Sequence, residues 1–262
     1  LREFSFFLNE TLYYETPTLF FAIGILIPCV YLVYKDIEII GRIGEYIFFI
    51  FIVTIVIIVS LSITSMDINR LLPVIDQSPS SIIKGSVGLS IWGGQLFILL
   101  MVSCDVKNIT NLTKSIIISI LILVSIIIII TTAVISTFGP ITEFLSFAFL
   151  SLAQYVSMEN ILQRMDTIIL IVWISSIFLK LSVYIYCGTQ IALTLKKIKN
   201  KIIYIISIAT IILLLSELLW NNSLEFKAQL VPESPVYAVI QVVIPIIIFV
   251  IAKLKKVLTQ KS

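Results

Sequence analysis

Histidine is absent from this 262-residue chain. With it go the commonest general base and the commonest zinc ligand, and most hydrolase and metalloenzyme functions. Cysteine is scarce. Cys29, Cys104 and Cys187 lie in separate apolar segments without a CxxC, an odd set that supports neither a disulfide framework nor a metal site. No GxGxxG or P-loop pattern occurs, so nucleotide binding has no sequence support, and no cofactor or nucleic-acid partner is expected. Charge is thin as well. Charged residues make up 13% of the chain, against about 25% in an ordinary soluble domain. A soluble domain of this length would lack its polar coat, and an enzyme is the least expected function.

What the chain has instead is apolar length. Hydrophobic residues make up 59% of it, and its mean hydropathy is +1.13. Seven segments are apolar for long enough to cross a ~30 Å hydrocarbon core at ~1.5 Å per helical residue. They are Thr18–Tyr34, Tyr46–Thr64, Ile82–Cys104, Lys114–Ser136, Ile168–Cys187, Ile202–Trp220 and Pro235–Ala252. The runs are uniformly apolar rather than alternating, which predicts helices and not barrel strands. The expected fold is a single all-α integral membrane domain over residues 1–262 with seven transmembrane helices.

Charge orients these helices. Twelve of the eighteen basic residues fall in the links after the first, third, fifth and seventh segments: Lys35 and Arg42, Lys107 and Lys114, the Lys196–Lys201 cluster, and Lys253–Lys261. Five others, Arg2, Arg70, Lys84, Arg164 and Lys227, fall on the opposite side, and Lys180 sits inside a span. Basic residues mark the cytoplasmic side, so the N-terminus is expected outside and the C-terminus inside. An exterior N-terminus needs a signal peptide or an earlier helix, and residues 1–16 hold no suitable apolar stretch. An odd number of further helices is therefore expected ahead of Leu1.

Two external stretches stand apart. Ser65–Ser81 is polar and broken by Pro73 and Pro79. Within Phe138–Val156, the apolar portion Phe144–Ala153 is too short to span and predicts a short external helix that dips back as a lid.

Two spans carry groups suited to chemistry. The third reads Ser90-Ile91-Trp92-Gly93-Gly94-Gln95. Glycine costs ~1 kcal/mol relative to alanine in a helix. The pair suggests a broken helix whose freed backbone groups meet a ligand, or else close helix contact through small residues. The fifth span places Trp173, Ser176, Lys180 and Tyr184 on one helical face. An ammonium near the bilayer centre costs at least ~2.5 kcal/mol, so Lys180 should point into protein or water. Snorkelling is the alternative, and Cys187, seven residues on and roughly 10 Å away at helical rise, makes the inner interface a long reach. The candidate ligand-binding residues are Trp92, Gly93, Gly94, Gln95, Ser176, Lys180 and Tyr184. Glu217 is expected as a solvated interfacial carboxylate, Gln241 as an interhelical hydrogen-bonding group, and Arg42 with Glu45 as an i,i+3 pair. The basic links and tail are compatible with anionic lipid.

The stretch Glu159-Asn-Ile-Leu-Gln-Arg-Met-Asp166, running into Trp173, Phe178, Lys180 and Ser182, resembles the signature of the spore germination B-subunit family. These are permease-like membrane subunits of nutrient germinant receptors in endospore-forming bacteria. Glu15-Thr16-Pro17, Gly41-Arg42, Leu71-Leu-Pro-Val74 and the glycine-containing third span agree with it. The resemblance implies the fold of the amino acid–polyamine–organocation transporters, ten helices in two inverted repeats, of which this chain holds the last seven. Three helices would then precede Leu1. It implies sensing of a small nutrient such as an amino acid, receptor A and C subunits as partners, and a place in the bacterial cell membrane or spore inner membrane. Many relatives carry an acidic residue after the glycine where this chain has Gln95, and half of the family's expected site, the first broken helix, is absent. An amino acid permease is the rival function, and a non-functional fragment of a truncated gene a third.

Overall fold

A computed structural model describes residues 1–73, 78–106, 111–159, 165–195, 200–220, 222–226, 239, 243–251 and 253. All regular structure among them is helical. Among the described residues, five helical runs are long and apolar enough to cross a membrane: Thr18–Lys35, Ile37–Ser65, Leu112–Phe144, Thr167–Leu195 and Lys201–Leu219. They cover five of the seven expected segments. The third segment is helical but interrupted. It runs as an α-helix over Pro79–Gly94, tightens to 3-10 at Gln95–Ile98, and resumes as α over Leu99–Val102 before a last 3-10 turn at Ser103–Asp105. Of the seventh, residues 243–251 are helical and most of the rest lies outside the described residues.

The elements are α1 (Arg2–Thr11), α2 (Thr18–Lys35), α3 (Ile37–Ser62), α4 (Pro79–Gly94), α5 (Leu99–Val102), α6 (Leu112–Phe138), α7 (Ala148–Glu159), α8 (Met165–Leu195) and α9 (Lys201–Leu219). The chain divides into two compact units. The first holds Leu1, Glu3–Asp76 and Asn108–Leu213; the second holds Arg2, Gln77–Lys107 and Leu214–Ser262.

In the first unit α8 is the hub, packed against α2, α3 and α7. A small residue sets one of its approaches. A Cβ on Gly188 would lie only 3.3 Å from Ile208 Cγ2 of α9. Such close backbone contact favours helix association in lipid, where apolar burial alone supplies no drive. The exposed side of α6 has the opposite character. Ala133, Val134, Ser136 and Thr137 are buried near its C-terminal end, while Ile117, Ile118, Leu121 and Ile128 are bare. An exposed apolar face of this kind suits a bilayer.

The turn after α6 is pinned by Arg70. Its guanidinium donates to the Thr137 carbonyl, and Asp67 N donates to Ser136 O at 2.9 Å. A cation there also meets the negative end of the helix dipole. Gly139 caps α6 at φ 56°, a conformation that favours glycine, with its N–H on Ile135 O. After it comes a 3-10 turn over Gly139–Phe144, and then α7, the short helix expected in this region. Leu152, Ala153 and Val156 are its most buried residues, while Phe144 lies outside the helix and is exposed.

α1 was not foreseen in the sequence. It is ten residues long, too short to span, and buries Phe4, Ser5, Phe6, Phe7 and Leu8. Thr11 Oγ1 returns a hydrogen bond to Phe7 O at 2.6 Å. The Asn9 amide donates to the carbonyls of Tyr13, Tyr14 and Thr16, folding the chain into the Pro17 start of α2. Two expectations about charged residues are corrected. Arg42 pairs one turn back with Glu38 at 2.7 Å rather than with Glu45, because both sit on one exposed face of α3 at i,i+4. In the second unit Glu217 is bonded to Arg2 at 2.7 Å instead of standing in solvent, and Arg2 also donates to Trp220 O.

The second unit begins with a helix start built from serines and proline. Ser78 Oγ accepts from Ser81 N and Pro79 occupies the first turn, the side-chain cap and ring position that suit an N-terminus.

Candidate functional site

Trp173, Ser176, Lys180 and Tyr184 lie along one face of α8, and the first of them carries an aromatic cluster. The Phe7 ring of α1 lies 4.5 Å from Trp173, and Phe147, just ahead of α7, lies 5.5 Å from it edge-on. Phe7 and Phe147 also meet at 4.8 Å. Three segments distant in sequence thus converge on one indole, in the edge and tilted geometries that ring quadrupoles prefer.

Beside Trp173 is a partly enclosed cavity of 330 Å³. Phe51 and Thr54 of α3 line it, with Phe149 of α7 and Ile169, Val172, Trp173 and Ser176 of α8. Its two hydroxyls are already engaged. Thr54 Oγ1 donates to Ile50 O and Ser176 Oγ to Val172 O, each at 2.8 Å. The lining is otherwise hydrocarbon and aromatic.

Lys180 is one turn beyond Ser176 and partly buried. It interacts electrostatically with Glu3 of α1. Although Glu3 keeps surface access as a residue, protein crowds its carboxyl, which is held above the usual carboxylate range by lost hydration, with the Lys180 ammonium pulling back the other way. Neighbouring Cys29 lies against Phe178 O at 3.5 Å, and Ser182 donates to the same carbonyl at 2.8 Å. Tyr184 is half-buried further along the stripe. Glu3 was missed as a site residue because its helix was missed. The i,i+3,i+4 placing of Phe4, Phe7 and Leu8 was the available signal.

Ser176, Lys180 and Tyr184 belong to the first unit, and Trp92, Gly93, Gly94 and Gln95 to the second. At the latter four the backbone stays helical and changes from α to 3-10 after Gly94, with Gln95 at φ −61°, ψ −17°. Among the described residues, a Cβ at Gly93 would meet nothing within 4 Å.

Residues 1–223 match the family described as spore germination protein. The chain belongs to this family. It is 25% identical over 269 residues to spore germination protein KB of Bacillus subtilis (strain 168), an alignment that covers 100% of this chain and 72% of that protein. No solved structure matches. Membership, with the long apolar helices, makes this a multi-pass membrane protein of the spore germination permease family, in the cell or spore inner membrane.

Proposed function

We propose that this chain is the membrane subunit of a nutrient germinant receptor, sensing a small nutrient such as an amino acid and passing the signal to receptor A and C subunits. The observation that carries the proposal is Lys180. In a spore germination family member, a lysine within a membrane-spanning helix interacts electrostatically with a carboxylate of α1 and continues a stripe that lines a cavity. Charged groups inside spans are costly and mark ligand or ion pathways. Seven crossings with an exterior N-terminus, as the last seven helices of a ten-helix inverted-repeat fold, belong to the same proposal. It is supported by the lysine and arginine distribution.

The test is made in spores carrying the intact receptor. Lys180→Met should abolish or change the nutrient response, followed as loss of optical density, while the subunit level in spore membranes stays near the parent's. A parental response at a parental level overturns the assignment. Gly93→Leu tests the glycine turn of the second unit by itself. It should impair the response at normal abundance if backbone groups there contact ligand, and a parental response removes Trp92, Gly93, Gly94 and Gln95 from the site. An amino acid permease would take up labelled amino acid in membrane vesicles. A sensor would not.

A further inference from the structure

We infer that the groove between α2 and α9 holds one acyl chain of an anionic phospholipid, whose headgroup phosphate rests on Lys35 and Lys201. The groove shares no residue with the cavity beside Trp173, so this lipid site stands apart from the nutrient site. Shape comes first. Ile23 and Ile27 of α2 and Ile206 and Thr210 of α9 form the exposed walls, and Leu26 and Ala209 the buried floor. The Thr210 hydroxyl already donates to Ile206 O at 2.8 Å, so the lining acts as hydrocarbon. At 240 Å³ the groove is smaller than the roughly 300–1,000 Å³ of a small-molecule pocket. A narrow apolar trough on a lipid-facing surface suits a flexible chain rather than a compact solute.

Depth places the headgroup. α2 ends at Lys35 and α9 begins at Lys201. Lys201 Nζ donates to Asp36 Oδ1 at 2.7 Å, which sets the two helix ends side by side. Val30 and Ile206, the groove residues nearest that end, are each five residues from the lysines, roughly 7.5 Å at helical rise. Ile23 and Leu213, at the far end, are twelve residues away, roughly 18 Å. Half of a ~30 Å hydrocarbon core is ~15 Å, so the groove runs through one leaflet and the lysines stand at its headgroup level. Tyr31 and Tyr34, 63% and 53% exposed, flank the same end of α2, the position tyrosines favour at a membrane interface.

Charge then selects the class of lipid. Two cations and one carboxylate, Lys35, Lys201 and Asp36, leave this end net positive, while Glu38 and Arg42 of the adjoining α3 neutralise each other. Lys35 lies over the Tyr31 ring at 5.5 Å. Lys201 occupies the first turn of α9, where the helix dipole disfavours a cation and welcomes an anion. Its side chain is 29% exposed, so a phosphate can share the ammonium with Asp36. Each lysine beside anionic headgroups is worth about a fivefold change in binding.

Native mass spectrometry of the detergent-purified chain, titrated with phosphatidylglycerol or with phosphatidylcholine of the same acyl chains, reads the first lipid bound. Phosphatidylglycerol should bind roughly tenfold tighter. Lys35→Gln should cut that preference about fivefold, and Asp36→Asn should raise it by freeing Lys201. Arg42→Gln removes an equal charge away from the groove and should leave it unchanged. Thr210→Trp, which fills the groove from its exposed wall, should weaken both lipids. Equal affinity of the parent for the two lipids overturns the inference. So does a loss in Arg42→Gln that matches Lys35→Gln, because the attraction is then diffuse surface charge. Full binding in Thr210→Trp puts the chain elsewhere and overturns it too. Excess inorganic phosphate should not displace the lipid; displacement means an anion site without a chain in the groove. Melting temperatures taken alongside separate lost binding from lost fold. If Thr210→Trp does not fold, the opposite shifts in Lys35→Gln and Asp36→Asn, both at exposed side chains, decide the case, and their absence overturns the site.

Discussion

Replacing Gly139 by alanine should destabilise the first unit by about 2–4 kcal/mol, worked from two local contributions. At φ 56° and ψ −132° the residue sits where any side chain costs of order 1–3 kcal/mol. The new Cβ would also stand 3.3 Å from Arg70 Cδ and 3.7 Å from Cγ. That arginine can yield, but in yielding it draws its guanidinium off the Thr137 carbonyl at the end of α6. A hydrogen bond from a charged donor is worth about 1.5–3 kcal/mol. Because Arg70 is 45% exposed, solvent screening leaves about 1 kcal/mol of it. At about 2–4 °C per kcal/mol for a chain of this size, the melting temperature should fall by about 5–15 °C. Thermal unfolding of the detergent-solubilised protein measures it. The strain and the arginine contact are separable. Arg70→Ala should cost about 1 kcal/mol, and in that background Gly139→Ala should lose only its backbone part, leaving a coupling of about 1 kcal/mol in the double-mutant cycle. A Gly139→Ala protein that melts within about 2 °C of the parent refutes the strain at this cap.

Arg2→Met should lower the amount of subunit in the membrane, since it leaves the Glu217 carboxylate, 28% exposed, without its 2.7 Å partner; adding Glu217→Met should restore it, because removing both charges removes the penalty. Glu3 makes stability depend on pH. Its folded-state pKa is raised, so the folded chain holds that proton more readily than the unfolded one. Its contribution is therefore present at low pH and lost as pH rises through the raised value. Melting curves of the parent and Glu3→Gln should diverge in that direction as pH rises above the ordinary carboxylate range, and parallel curves would rule it out. For topology, single cysteines at Asp76 and Lys199, in a chain with Cys29, Cys104 and Cys187 replaced, should label from opposite membrane faces. Labelling of both from one side contradicts the seven-crossing arrangement.

The long spans were legible because hydropathy and helical length are the same constraint in a bilayer. A run such as Leu112–Phe138 has no alternative to an α-helix once water is excluded. The stripe on α8 was legible for a related reason, since helical period alone puts Ser176, Lys180 and Tyr184 on one face. What the sequence concealed was everything that depends on a partner. α1 has too few apolar residues to register as a span, and its Phe7 has meaning only once α8 supplies Trp173 to pack on. Glu3 was hidden with it, and so was the pairing of Arg2 with Glu217. The cavity was out of reach for the same reason, because Phe51, Phe149 and Val172 are ordinary lipid-compatible residues until three helices leave a gap among them. At Gly93-Gly94 the composition pointed to a discontinuity, and the backbone answers with a change of helical pitch at Gln95, because 3-10 bonding can absorb two glycines without releasing the chain. A lysine inside a span could therefore be found from charge and depth alone, whereas the cavity beside its stripe exists only through contacts between α3, α7 and α8.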